Sequence, residues 1–347
     1  MGEPRLDIVG LGLATLDVLI RLGKMPTWEH GAAVSGFALD GGGPVGTACC
    51  AAARLGARVG FVGTAGNDDI AALKVASLQE NGVDTSRLVV RDGPENQVVI
   101  VHVHEGSGER VFSGLRGSGK PGTPARSPLS TAPPCSRVGV PTAPGLRGFG
   151  AAPLTVEELD RDYVTSARFL HLDGTHGEAA LQAARWMREA GGEVVLDCAK
   201  TDGRPAHEGL RRLLRDVDIL IGGSGCGLSL TGREDPSAAG AAMLDLGPRV
   251  VVQTEGAQGS YTTTTAEHFH TPAFAVEVLD TTGAGDVFHG AYLVGLLHGW
   301  DLPTVARFAT AVAAIKCTRL GGRRGVPTMD DTLAFLQERG FTINTES

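Results

Sequence analysis

The run Asp280-Thr281-Thr282-Gly283-Ala284-Gly285-Asp286 joins three small residues to an acid, and from Val287 the chain reads as a long apolar helix. Gly283, Ala284 and Gly285 carry little side chain, so their amide hydrogens can approach an anion. The unsatisfied N–H groups and the dipole of a helix start favour negative charge there. Asp286, in the first turn, is placed to meet an attacking hydroxyl. An anion cradle beside a carboxylate suits phosphoryl transfer to an alcohol. An ordinary strand-to-helix turn with a first-turn acid has the same local spacing.

Such a loop has to be held by a rigid scaffold. Short β-branched runs at 7–9, 59–62, 193–196, 218–221 and 250–253 alternate with helical patterns at 48–55, 70–81 and 178–190. The alternation predicts an α/β fold: right-handed βαβ units in a doubly wound, mostly parallel sheet with helices on both faces. Stretches around Leu19, 34–39, 97–104 and 110–112 read instead as strands joined by turns, one of them Glu105-Gly106-Ser107-Gly108. A further helix is expected at 154–159.

Composition bounds the function. With 347 residues, 20% charged and 42% apolar, the chain can bury one large core, and a single domain spanning 1–347 is expected. A net charge of −8 argues against a nucleic-acid surface, which needs clustered Lys and Arg. Six Cys show no Cys-x-x-Cys spacing and include adjacent Cys49 and Cys50, so neither a disulfide framework nor a zinc site is expected. A reducing, cytoplasmic setting fits. The first apolar run is interrupted by Asp7 and leads into Gly10-Leu11-Gly12 rather than a cleavage site, no run reaches membrane-spanning length, and Met1-Gly2 lacks the Ser or Thr that myristoylation needs at position 6.

From Gly114 to about Ala152 the chain is dense in Pro, Gly, Ser and Arg. A structureless stretch of that length is uncommon inside a compact domain, and the composition reads as a disordered insert or a gene-model error before a docking loop. Within it, Gly114 to Lys120 imitates a phosphate-binding P-loop, but Pro121 stands where Ser or Thr should hold magnesium. Gly41-Gly42-Gly43-Pro44-Val45-Gly46 imitates a dinucleotide fingerprint, yet the next strand, ending near Val62, lacks the ribose-binding acid.

The string Asp280 to Asp286 resembles the C-terminal signature of the ribokinase-like (PfkB-type) carbohydrate kinases. The likeness extends over nearly the whole chain: Gly10-Leu11-Gly12 with Asp17, Gly41 to Pro44, Leu55-Gly56-Ala57, Gly63 to Asp69, Leu230-Thr231-Gly232 and Thr254 to Gly259. Asp286 to Gly290 and the tail Lys316 to Arg323 look most like ketohexokinases and sulfofructose kinases. The resemblance implies an ATP-dependent sugar kinase whose extra strands, within about 18–40 and 96–113, form a lid sheet over the sugar. ATP and a small sugar are the implied partners, and a homodimer through the lid is left open.

It also implies roles. Asp286 is the general base, and Gly283, Ala284 and Gly285 hold the transferring phosphoryl group. Asp17 accepts hydrogen bonds from sugar hydroxyls, Gly42 and Gly43 let the backbone approach the sugar, and Thr47 stands where many relatives have Asn. Asp173 and His176 are candidate sugar contacts. Thr254, Gly256 and Gly259 face the nucleotide phosphates, while Ala309, Thr310 and Ala313 leave a slot for adenine. Mg2+ accompanies ATP. Many relatives carry Asn-x-x-Glu before Leu-Thr-Gly; here Gly223 and Cys226 occupy those places, so no magnesium ligand is assigned, with Asp197 a candidate. Asp280 and the Thr282 carbonyl match the family's K+ loop, with Arg323 and Arg324 as the alternative source of positive charge. A nucleoside or ribose kinase, a catalytically impaired sugar-binding relative and a dinucleotide oxidoreductase are the competing readings.

Overall fold

The computed structural model describes residues 6–114, 152–198 and 205–344. The Pro-rich stretch and its P-loop-like run lie, apart from their end residues, outside the described residues. In chain order the elements begin β1 (Ile8–Leu11), β2 (Thr15–Leu22), β3 (Gly36–Gly42), α1 (Pro44–Arg54), β4 (Val59–Val62), β5 (Thr64–Ala65), α2 (Asp69–Glu80), β6 (Val89–Val90), β7 (Val98–His104) and β8 (Arg110–Gly114). There follow α3 (Arg161–Thr165), β9 (Phe169–Leu172), α4 (Glu178–Glu189), β10 (Glu193–Cys198), α5 (Glu208–Leu214), β11 (Ile219–Gly222), α6 (Cys226–Thr231), α7 (Pro236–Leu244) and β12 (Val250–Thr254). The chain closes with β13 (Ser260–Thr263), β14 (His268–Thr271), α8 (Ala284–Leu297), α9 (Leu302–Cys317) and α10 (Met329–Gln337).

Eight strands form one sheet in the order β14-β13-β12-β11-β10-β9-β1-β4. Its pairs from β12 to β4 are parallel, and β13 and β14 add an antiparallel edge. The parallel strands are apolar on both faces because both are covered. Ile8, Phe169, Val195, Ile219 and Val250 pack with α1, α8 and α9, while Val9, Leu170, Val194, Leu220 and Val251 pack with α4 to α7. The order of connection reverses at β1, whose neighbours β4 and β9 lie on opposite sides, and the crevice beyond the strand ends at such a point is where α/β sheets bind ligands.

A second sheet, β3-β2-β7-β8, is formed by the strands expected near 18–40 and 96–113. Its inner face buries Leu19, Ala38, Val99, Val101 and Val103 against Leu320. Among the described residues no helix is long and apolar enough to cross a membrane, and five of the six cysteines, those that are described, are free and buried.

Most expected elements shift by only one or two residues at their ends; three differences have a definite local cause. Helix α1 starts at Pro44 rather than 48, because proline at the first helical position sacrifices no hydrogen bond and presets φ. The helix expected at 154–159 is only a 3-10 turn, Val156–Glu158. Leu159 turns extended, and the Asp160 side chain accepts from the Tyr163 N–H to cap a new helix, α3. Helix α8 opens at Ala284, three residues before the apolar run, since Gly283 already takes the left-handed conformation that ends the incoming loop.

Candidate active site

Gly283 has φ +71° and precedes the first turn of α8. Any larger residue there would be strained, with its Cβ 3.1 Å from Gly322 Cα. The loop ahead of it is tied by Asp280, which is fully buried. Asp280 Oδ1 accepts the Thr282 N–H (2.8 Å) and hydroxyl (2.6 Å), and Oδ2 accepts the Gly321 N–H (2.8 Å). The Ala284 N–H turns back to the Thr281 carbonyl at 3.2 Å, whereas no backbone carbonyl among the described residues takes the N–H of Gly285 or Asp286. Of the three cradle residues, Ala284 therefore has its donor engaged, while the N–H groups of Gly283 and Gly285, like that of Asp286 beyond them, meet no backbone carbonyl among the described residues.

Asp286 is half-buried in that first turn. Burial pushes its carboxyl up to about 6, against the pull of Arg110, Lys316 and Arg323. Arg110, at the start of lid strand β8, donates to Thr281 Oγ1 at 2.6 Å, and Thr281 Oγ1 donates in turn to the Gly108 carbonyl at 3.1 Å. The lid turn thus rests on the anion loop and brings a guanidinium to it. Arg110 was not among the residues expected at the site; its one signal in the sequence is a cation opening a mostly apolar strand.

Asp17 in β2 lies opposite Asp40 in β3 and is 5% exposed. Its Oδ1 accepts the Thr15 hydroxyl at 2.6 Å. Burial raises the Asp17 carboxyl to about 7; the Thr15 hydrogen bond and Arg323 oppose the rise, while Asp40 and Asp286 add to it. A side chain at Gly42 would collide with the Asp17 carboxylate, which explains a glycine there. Gly43 caps α1. Thr47, one turn into α1, is buried, and its hydroxyl has no partner among the described residues. Its methyl would lie 3.3 Å from a Cβ at Gly283. The chain from Gly42 through the first turn of α1 to Thr47 thus runs from the Asp17 carboxylate to the Gly283 turn.

Arg323 is buried beneath this junction. Its guanidinium donates to the Gly42 carbonyl (2.7 Å) and Ser77 Oγ (3.0 Å), and its N–H donates to Asp40 Oδ2 (3.0 Å). Gly41 and Gly46 leave room for that guanidinium. In the run that imitates a dinucleotide fingerprint, Gly41 and Gly46 therefore make room for Arg323 and Gly42 for Asp17, while Gly43 lies against the Leu13–Ala14 backbone.

Asp173 and His176 stand beyond β9, and both have protein partners. Asp173 accepts the N–H of Leu13 (2.8 Å) and of Thr175 (2.9 Å). His176 Nδ1 accepts the Leu154 N–H at 3.1 Å, which leaves Nε2–H to donate to the Gly12 carbonyl at 3.3 Å. Both ring nitrogens are spent on the protein, so His176 braces the Gly12 loop and presents no free nitrogen to a sugar. Asp197, at the end of β10, is raised well above the carboxylate range by burial and by the charges of Asp286 and Asp173. His289 Nε2 lies 3.7 Å from Asp197 Oδ1 and is the pair's nearest cation candidate, but burial holds its imidazole well below the usual range.

At the far strand ends, Thr254 Oγ1 donates to the Gly222 carbonyl (3.3 Å), and Gly256 and Gly259 carry positive φ in the turn that follows. The Thr310 hydroxyl donates to the Ala306 carbonyl at 2.7 Å. Among the described residues no group of three His, Cys, Asp or Glu side chains is arranged to hold a metal ion. The potassium loop fits its ion poorly too. The Asp280 oxygens are occupied by N–H and O–H donors, and the Lys316 ammonium donates to the Asp280 carbonyl at 2.9 Å.

The family model described as pfkB family carbohydrate kinase matches residues 7–132 and 148–329. The chain belongs to the pfkB family. It is 29% identical to a 5-dehydro-2-deoxygluconokinase of Shouchella clausii, over 96% of both chains. It is 30% identical to an aminoimidazole riboside kinase of Salmonella typhimurium, over 87% of this chain and 89% of the other. The fold is shared with an E. coli chain solved in complex with ATP and Mg2+, at TM-score 0.74 and 20% identity, over 96% of this chain and 99% of that one. This pfkB chain is accordingly an ATP-dependent kinase of a sugar or nucleoside, which removes the oxidoreductase reading. The family match omits 133–147, inside the Pro-rich stretch.

Proposed function

We propose that this pfkB kinase transfers the γ-phosphoryl group of ATP to a primary hydroxyl of a ketose or related keto-sugar, of the fructose or sulfofructose type. The observation that carries the reading is the start of α1, where Gly42, just before the helix, lies against the Asp17 carboxylate and Thr47, one turn in, lies against the Gly283 turn. Asp17 accepts hydrogen bonds from sugar hydroxyls and orients the ring. Asp286 accepts the proton of the attacking hydroxyl, and the amides at the start of α8, with Arg110, stabilise charge on the transferring group. A carboxylate suffices as base because the transition state is loose and the proton leaves late. Magnesium, when bound with the triphosphate, neutralises its charge. Closure of the lid excludes water, so that ATP is not hydrolysed.

A keto-sugar is favoured by the tail Lys316 to Arg323 and by the relative named for a keto-deoxygluconate. The riboside kinase relative favours a nucleoside as the second reading. Phe37, Leu39, Ile100 and Val111 are exposed on the outer face of the lid sheet, which supports a homodimer through the lid. The substrate reading is tested by ADP release with Mg-ATP against fructose, sulfofructose, 2-keto-3-deoxygluconate, ribose and adenosine. One of the three keto-sugars is expected to give the highest kcat/KM; adenosine or ribose ranking first would sink it.

A further inference from the structure

The buried carboxylate of Asp280 needs a compensating charge, because an isolated ionised group in a dry interior is strongly disfavoured. Neither arginine expected to supply it does so. The Arg323 guanidinium is directed at Gly42 and Ser77, and the Arg324 side chain is exposed. Among the described residues no Lys or Arg forms an ion pair with Asp280.

Lys316 lies near the C-terminus of α9 and is fully buried. Its ammonium forms no ion pair with a carboxylate among the described residues either; it donates to the Asp280 main-chain carbonyl at 2.9 Å. Backbone bonds fix the distance, since the N–H groups of Leu279 and Asp280 both donate to the Cys317 carbonyl, at 2.9 and 3.2 Å. The ammonium therefore meets the loop as a metal ion would, through a carbonyl oxygen, while Asp280 and Asp286 both feel its charge. A potassium ion placed against the same loop would have to share a dry space with a cation already there.

We propose that the Lys316 ammonium is the built-in monovalent cation of the phosphoryl-transfer loop, so that this kinase uses no potassium ion. Lys316 is a positioning residue: it holds Asp280, and through the Asp280 to Thr282 turn it sets where the α8 amides and Asp286 point. The inference rests on the anion-loop reading above.

The test compares potassium, sodium and tetramethylammonium chloride at equal ionic strength, reading both melting temperature and ADP release. The native protein is expected to melt at the same temperature in all three, because no ion binds the folded state selectively, and to turn over at the same rate. Lys316→Met should lose about 10- to 100-fold in kcat in every salt, the cost of a misplaced loop. Lys316→Ala should lose as much in sodium, recover in part with potassium, and melt higher in potassium than in sodium. A potassium-selective rise in melting temperature or rate of the native protein would overturn the proposal, as would full turnover of both variants in tetramethylammonium. If the variants do not fold, the salt comparison on the native protein still decides. The melting readout also decides it if no sugar is turned over, which separates its failure from failure of the kinase reading.

Discussion

Asp286→Asn is expected to lower kcat by at least about 100-fold, within the range set by loss of a general base. Asn keeps the shape of the side chain and its place in the first turn of α8, but a carboxamide takes no proton from the sugar hydroxyl. The pH profile carries a second signature. Burial raises the Asp286 carboxyl to about 6, so the native enzyme should lose kcat/KM as pH falls through that value and the base becomes protonated. The residual activity of Asp286→Asn should lose the limb near 6 and keep only the fall that protonation of Asp17, near 7, brings to sugar binding. Near-native turnover by a folded Asp286→Asn protein would remove Asp286 from the chemistry.

Asp17→Asn is expected to cut kcat/KM for the sugar by about 100-fold or more, since two hydrogen bonds to a charged acceptor are weakened together. The same substitution should stabilise the unliganded protein at alkaline pH. The folded-state value of Asp17 is raised, to about 7 from 3.8, so its favourable contribution is fully present below 3.8 and is lost as pH rises to 7. Above pH 7 the native protein carries the whole cost of an ionised buried carboxylate, at most about 4 kcal/mol for that shift. Asn removes the cost. Its melting temperature should exceed that of the native protein at pH 8, with the gap closing as pH falls towards 4. A variant less stable at pH 8, or one with unchanged sugar kinetics, would contradict this assignment.

The parts of the site that sequence made legible are local ones. Gly283, Gly285 and Asp286 share one turn, and the small residues announce that turn and the helix start behind it. The strands 59–62 and 193–196 were legible because parallel strands covered on both faces are continuous β-branched runs. What stayed hidden depends on distant pairings. Arg110 meets Thr281 across 171 positions and Arg323 meets the Gly42 carbonyl across 281, and no periodicity reports either. The partners of His176, the Leu154 N–H and the Gly12 carbonyl, are main-chain groups without a residue-type signature. The split near Leu159 had a local cause, the Asp160 cap, but cap and first-turn acid are indistinguishable until the backbone direction is known.

The central claim is transfer of a phosphoryl group from ATP to a primary hydroxyl at the Asp286 turn. Proton-coupled phosphorus NMR of a reaction with Mg-ATP and the best keto-sugar tests it directly. The account predicts ADP and, in equal amount, a phosphomonoester signal split into a triplet by the two protons of a CH2 group, absent with Asp286→Asn. A doublet from a secondary ester, or inorganic phosphate formed in place of a sugar ester, would contradict it.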